Sequence, residues 1–178
     1  TSADGRIEIW SSGALGVPAY QGTQFAEINA NNDATLYFDV VTVPGVTMNW
    51  SFAHRGRAGT DCIALLINAP GAPDNQINQF CTGNTAWSLY SGSYVVPAGQ
   101  YVTRFFYKAV STATGNKSVG NFLDAITFEA AANTFELFLG NDTNGVPISS
   151  NETGVFSGLD EGTYSIKFLD NLTGCFVS

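Results

Sequence analysis

Positive charge is scarce in this chain: seven Lys and Arg stand against fifteen Asp and Glu over 178 residues, a net charge of −8. They form no basic run, so the footprint needed to neutralise nucleic-acid phosphates is missing, and an anionic membrane has nothing to attract. Nucleic acid is therefore excluded as a partner. No apolar stretch approaches the roughly 18 residues of a membrane-spanning helix, which excludes membrane insertion by that route. No signal peptide is present at Thr1, and the expectation is that any export signal has been removed. Histidine occurs once, at His54, and cysteine three times, at Cys62, Cys81 and Cys175. Scattered in this way, they lack the ligand spacing of a zinc site. Catalysis is poorly supplied as well. No Gly-x-Ser-x-Gly elbow accompanies the single imidazole, and no spacing singles out a carboxylate pair of the kind glycosidases use. The expectation is a chain that is not an enzyme.

What is present points to a folded β protein. Charged residues make up only 12% of the chain and aromatics 13%, the reverse of a disordered composition. A chain of this mass buries roughly 70% of its extended surface, enough for one full core. Nineteen Gly and six Pro fall between short alternating or β-branched runs at 6–10, 24–30, 34–41, 46–54, 60–68, 94–96, 101–110 and 122–129. Short strands with turn signals at such intervals predict an antiparallel sandwich or barrel. No stretch carries a capped helical stripe. Within Val46 to His54, Val46, Met48, Trp50 and Phe52 share one face, and Leu36, Phe38 and Val40 repeat the pattern. In the 122–129 run the same alternation puts Asp124 in a row with Phe122, Ile126 and Phe128, a carboxylate in an otherwise apolar line.

Charge distribution suggests a boundary at Ala130–Asn133. Residues 1–130 carry nine acids and six bases, whereas 131–178 carry six acids and one base. Further strands are expected at 134–139, 153–156, 163–169 and 175–177, making a first domain at 1–130 and a partial immunoglobulin-like segment at 131–178. The last run stops as a strand begins, and the chain reads as part of something longer.

If 60–67 pairs in a hairpin with 77–82, Cys62 and Cys81 sit opposite each other at a spacing compatible with a disulfide. The alternative is two buried thiols acting as small hydrophobes. A bridge fits an exported protein. Cys175 is left over.

Two groups of residues suit ligand binding. The turn Ala53–Asp61 gathers His54, Arg55, Arg57 and Asp61 on a Gly-rich bend. Arginine forks suit carboxylates, sugar hydroxyls and amide carbonyls, and Gly56 and Gly59 allow close backbone approach. The same residues also suit a purely structural role, with Arg55 and Asp61 bridging the loop and His54 capping a strand end. Trp10, Tyr20, Trp87 and Tyr90 lie in or beside Gly/Ser-rich loops, where rings can stack on sugar C–H faces or simply pack. Trp50 alternates with core residues.

The stretches Ile7–Trp10, Val17–Asn29, Ser51–Gly56 and Gly120–Ile126 resemble the galactose-binding-like jelly rolls, a group that includes carbohydrate-binding modules. The resemblance covers about residues 5 to 130. It implies an antiparallel jelly-roll β-sandwich, non-catalytic and able to bind glycan, with Asn121 joining the candidate ligand residues. It also implies a structural Ca²⁺ held by Asp124 on the last strand together with an early-strand acid, Glu8 or Glu27, because hard oxygen ligands are what that ion requires. The Asp124 carboxylate can equally be satisfied by loop amides or by Arg55 or Arg57. A second stretch, Gly162–Asn171 with Gly174-Cys175, resembles the repeats of SprB-like bacterial gliding adhesins. Together the resemblances imply an extracellular or cell-surface binding module of a bacterial adhesin or secreted multidomain protein, with a glycan or cell-surface ligand and neighbouring modules as its partners. The alternatives are a structural stalk module without a small ligand and an accessory domain of a secreted glycoside hydrolase.

Overall fold

The computed structural model describes residue 6, residues 8–131 and 134–170, and the backbone of 176–177. Among the described residues, nine strands lie before residue 131: β1 (Glu8–Ser11), β2 (Gln24–Glu27), β3 (Thr35–Val41), β4 (Thr47–Arg55), β5 (Asp61–Asn68), β6 (Gln76–Thr82), β7 (Ser88–Val95), β8 (Val102–Ser111) and β9 (Phe122–Ala130). They form a five-stranded sheet in the order β1-β2-β9-β4-β7 and a four-stranded sheet in the order β3-β8-β5-β6. Every ladder in both is antiparallel. Beyond them, β10 (Thr134–Leu139), β11 (Ser149–Asn151), β12 (Tyr164–Leu169) and β13 (Phe176–Val177) make a separate sheet ordered β11-β10-β12-β13. The only helical piece among the described residues is one 3-10 turn, Ala14–Gly16.

Alternation explains where the core sits. Trp50 and Phe52 of β4 turn inward against Ile63, Leu65 and Ile67 of β5 and Phe105 and Tyr107 of β8, and Met48 turns inward into a second cluster with Val46 and Val96, as the period-2 reading of Val46 to His54 expects. The ring of Phe52 stands edge-on to Phe80 and Tyr107, with centroids 5.2 and 5.0 Å away. Full burial of one such side chain contributes about 1.5–3 kcal/mol. Tyr107 brings a cost into this core, because its hydroxyl has no hydrogen-bond partner among the described residues. Tyr107→Phe is therefore expected to raise stability by about 1 kcal/mol in urea titration; a loss of stability would reveal a partner for that hydroxyl.

Three expectations need correction. Strand β7 begins at Ser88, not near Tyr94, because a Ser/Gly-rich stretch pairs along β4 from Ser88 opposite His54 to Val95 opposite Thr47. Gly92 faces Trp50 there, and a Cβ at Gly92 would collide with the indole. The 153–156 run is not a strand; β11 lies earlier, at Ser149–Asn151. In β9 the expected row of Phe122, Asp124, Ile126 and Phe128 is broken. Ala125 takes a left-handed backbone (φ 48°), and the register with β4 slips between Ser51 and Ala53. Phe128 thus lies opposite Trp50, while Leu123 lies opposite His54 and Asp124 opposite Ala53. The bulge rotates Asp124 out of the apolar row.

Cys62 and Cys81 are directly paired across β5 and β6 and form a disulfide. Cys175 lies outside the described residues, as does part of the 162–175 adhesin-like stretch.

Candidate functional site

His54 and Asp61, at the two ends of the Ala53–Asp61 turn, anchor a buried polar lock. His54 is fully buried, with Nδ1 2.8 Å from Thr82 Oγ1 and Nε2 3.0 Å from Asn121 Oδ1. Asn121 Nδ2 donates to Asn29 Oδ1 at 2.8 Å, so the Asn121 oxygen faces His54 and accepts. The imidazole therefore carries its proton on Nε2, while Nδ1 accepts from Thr82. Tyr90 completes the chain by donating its hydroxyl to Thr82 Oγ1 at 2.9 Å. Burial lowers the His54 pKa to about 4, which keeps the ring neutral. Asp61, also buried, accepts three backbone amides: Arg57 (2.8 Å) and Asn121 (3.1 Å) at Oδ2, and Ala113 (2.7 Å) at Oδ1. Arg55 turns to the carbonyl of Asn84 instead of Asp61. His54, Asp61 and Asn121, expected as ligand contacts, are thus enclosed and committed to one another. The ring of Tyr90 packs on Phe52 and Phe80.

The other expected aromatics lie near one end of the five-stranded sheet. Trp10 donates its indole N–H to Glu27 Oε2 at 2.9 Å, and Arg57 Cζ lies 5.6 Å from its ring centroid. Trp87 donates to the Pro18 carbonyl at 2.8 Å and packs edge-on to Phe25, in a small apolar cluster with Val17 and Phe122. Tyr20, edge-on to Trp87, stays 44% exposed. Asp124 ties down the loop that carries it: Oδ2 accepts the Tyr20 and Gln21 amides at 2.7 and 3.0 Å, and Oδ1 accepts that of Ala125 at 2.7 Å. Of the roles weighed for this acid, hydrogen bonding to loop amides is the one its geometry displays.

These acids do not suit calcium. The ion takes six to eight oxygens, roughly 2.3–2.6 Å away. Both Glu27 oxygens instead face the N–H groups of Arg57, Trp10 and Gly120, and both Asp124 oxygens face backbone amides. Glu8 lies opposite Glu27 in the ladder, but no group of three or more His, Cys, Asp or Glu that could hold a metal occurs among the described residues.

The outer face of the four-stranded sheet is a surface the sequence reading missed. Since Leu36, Phe38, Phe105 and Tyr107 point inward, their alternates Tyr37, Asp39, Arg104, Phe106 and Lys108 point outward. The register sets Tyr37 opposite Phe106, Asp39 opposite Arg104 and Thr35 opposite Lys108. Arg104 grips Asp39 bidentately, with Nε–Oδ1 2.6 Å and Nη2–Oδ2 2.7 Å, and lies 4.2 Å from the Tyr37 ring centroid. That pair holds the Asp39 carboxyl below its usual range and the guanidinium above its own. Across the sheet, Leu66 is paired with Phe106 and Asn68 with Arg104. Asn68 is buried, and its Oδ1 has no partner among the described residues. A depression of about 180 Å³ is lined by Thr35, Leu66, Asp74, Phe106 and Lys108, with Lys108 Nζ 3.5 Å from Asp74. The signal was in the sequence: Arg104-Phe105-Phe106-Tyr107-Lys108 alternates an apolar row with a cation–aromatic–cation row.

Two antiparallel sheets with this strand order form a jelly-roll β-sandwich, here with one outer face combining aromatic and hydrogen-bonding groups. Among solved structures, the chain is similar to the CBM22-2 xylan-binding domain of Paenibacillus barcinonensis Xyn10C, with a TM-score of 0.55 and 14% identity, covering 74% of this chain and 91% of that one. It is also similar to the C-terminal family 22 carbohydrate binding module of Clostridium thermocellum Xyn10B, with a TM-score of 0.52 and 17% identity over 74% of this chain and 84% of that one. A third structure, of the CBM22-1 and GH10 modules of the N-terminal endo-1,4-beta-D-xylanase 10B of Clostridium thermocellum, complexed with xylohexaose, matches at TM-score 0.50 and 14% identity, over 74% of this chain and 26% of that one. At these identities the likeness is one of fold. No family model and no curated protein matches the chain, so the adhesin-repeat resemblance gains no support from them.

Proposed function

We propose that this chain is a non-catalytic glycan-binding module of a secreted or cell-surface protein, and that the outer face of the four-stranded sheet holds the sugar chain. The observation that carries the proposal is the Tyr37–Phe106 pair, flanked by the Asp39–Arg104 pair and by Lys108, beside a depression of about 180 Å³. A sugar chain offers C–H patches and hydroxyls side by side, and this face answers with rings beside fixed donors and acceptors. The fold shared with xylan-binding domains supports the same reading, and the Cys62–Cys81 disulfide suits an exported protein. The one imidazole is buried within the lock, which leaves acid–base chemistry without its most adaptable group. Fold likeness to a module attached to a xylanase favours, as second reading, an accessory domain of a secreted glycoside hydrolase. The sheet at 134–177 is then a neighbouring unit, for which the immunoglobulin-like reading stands as our proposal.

Calorimetric titration against xylan, a β-glucan and a galactan tests the binding face. Phe106→Ala and Arg104→Ala are each expected to weaken binding about tenfold or more, a difference of ~1.4 kcal/mol, with melting temperatures showing that both variants fold. Trp87→Ala serves as the comparison. Loss of binding in that variant alone would move the site to the Tyr20–Trp87 loops, and absence of binding to any polysaccharide would favour a structural stalk.

A further inference from the structure

Four separate segments meet at the Glu27 carboxylate. Its Oε1 accepts Arg57 Nη1 and the Gly120 amide, each at 2.9 Å, and its Oε2 accepts Trp10 Nε1 at 2.9 Å and the same Arg57 nitrogen at 3.0 Å. Glu27 itself ends β2, Trp10 belongs to β1, Arg57 to the turn from β4 into β5, and Gly120 to the loop entering β9. The acid side chain is fully enclosed, while that of Arg57 is 24% exposed. An enclosed carboxylate is costly unless it is neutralised and its lone pairs are filled. Arg57 supplies the charge, and the amide and indole fill the remaining positions. The backbone of the same arginine is fixed as well, since its amide donates to Asp61, which also accepts the amide of Asn121, next to Gly120.

We propose that the Arg57 guanidinium is a built-in cation at this junction, so that this end of the sandwich assembles without calcium, the ion that the jelly-roll resemblance implies for this acid. A divalent ion approaching Glu27 would meet a positive charge already seated there, held by two contacts to the carboxylate and stacked beside the Trp10 ring. The part of this inference that concerns glycan binding rests on the proposed function; the part that concerns stability does not.

Thermal melts of the full chain in calcium chloride and in EDTA test it, using the wild type, Arg57→Gln and Arg57→Lys. The wild type is expected to melt at the same temperature in both buffers. Arg57→Gln should fall by about 10 °C, because it leaves Glu27 enclosed without a counter-charge, and Arg57→Lys, which keeps a point charge, should recover part of that fall. A wild-type melting temperature that rises with calcium overturns the proposal, and so does an Arg57→Gln chain as stable as the wild type. Calcium titrated calorimetrically into the wild type should give no binding heat; a saturable isotherm counts against a metal-free latch. If a polysaccharide binds, its affinity should agree within about twofold in the two buffers, and a tenfold loss in EDTA would overturn the extension to binding. If none binds, the melts still decide the stability claim.

Discussion

Asp61→Ala is expected to destabilise the fold by about 3–5 kcal/mol, lowering the melting temperature by about 10 °C. Asp61 accepts the amides of Arg57, Ala113 and Asn121, and these lie in the β4–β5 turn, the β8–β9 loop and the residue before β9. Alanine leaves all three donors without their acceptor at a buried position, and each lost partner costs about 1–3 kcal/mol where water cannot replace it. Asn121 has a further stake, because its backbone is left-handed (φ 52°) and its side chain must still reach both His54 and Asn29. Asp61→Asn should also destabilise, since an amide that offers one carbonyl oxygen turns its NH₂ toward N–H donors. Urea titration of both variants gives the measurement. A loss below about 1 kcal/mol for Asp61→Ala would show that solvent reaches those amides.

Acid should weaken the fold through His54 before most carboxylates titrate. The ring is neutral in the fold, with a pKa of about 4 caused first by burial, against the bonds to Asn121 and the charge of Asp61; unfolded, it returns to about 6.5. Below that value the unfolded chain takes up a proton that the fold refuses, so stability is full above about pH 6.5 and declines as pH falls toward 4. The whole contribution is about 3 kcal/mol. Protonation at Nδ1 would also set an N–H against the Thr82 hydroxyl that donates to it and disturb the link to Tyr90. Glu27 acts in the opposite sense at the acid end, because burial pushes its carboxyl upward despite Gly120, Arg57 and Trp10. Comparison with His54→Gln separates the two: the variant should lose the slope between pH 6.5 and 4. Identical pH profiles for wild type and variant would refute the assignment.

Much of the scaffold could be read from alternation, because a strand with one face on a core writes that face into every second residue. Trp50 and Phe52 show it, and so does the hairpin that brings Cys62 against Cys81. The reading failed where a local backbone event shifted the phase. Nothing in Leu123-Asp124-Ala125-Ile126 announces a left-handed alanine, so alternation alone puts Asp124 on the wrong face. It failed again where small residues replaced the pattern, as in Ser91-Gly92-Ser93, whose role is to clear room for Trp50. For the site, the polar residues of the Ala53–Asp61 turn looked available because one-dimensional order does not show what covers them. The converse error hid Tyr37, Asp39 and Arg104: they sit as alternates within strands recognised for their apolar partners.

The lock and the latch also bear on the order in which the chain folds. Trp10 reaches Glu27 across 17 residues, but Glu27 reaches Gly120 across 93, Asn29 reaches Asn121 across 92 and His54 reaches Asn121 across 67. Hydrogen bonds of such separation form only after the chain between them has been drawn in, and the entropy of closing those long loops precedes any return from them. The β5–β6 hairpin, closed over 19 residues by its disulfide, can form early, whereas this end of the sandwich waits for β9. Interactions absent from the folding transition state act chiefly on the unfolding rate. The Glu27, Asp61 and His54 contacts are accordingly expected to serve as a brake on opening, slowing unfolding more than they speed folding.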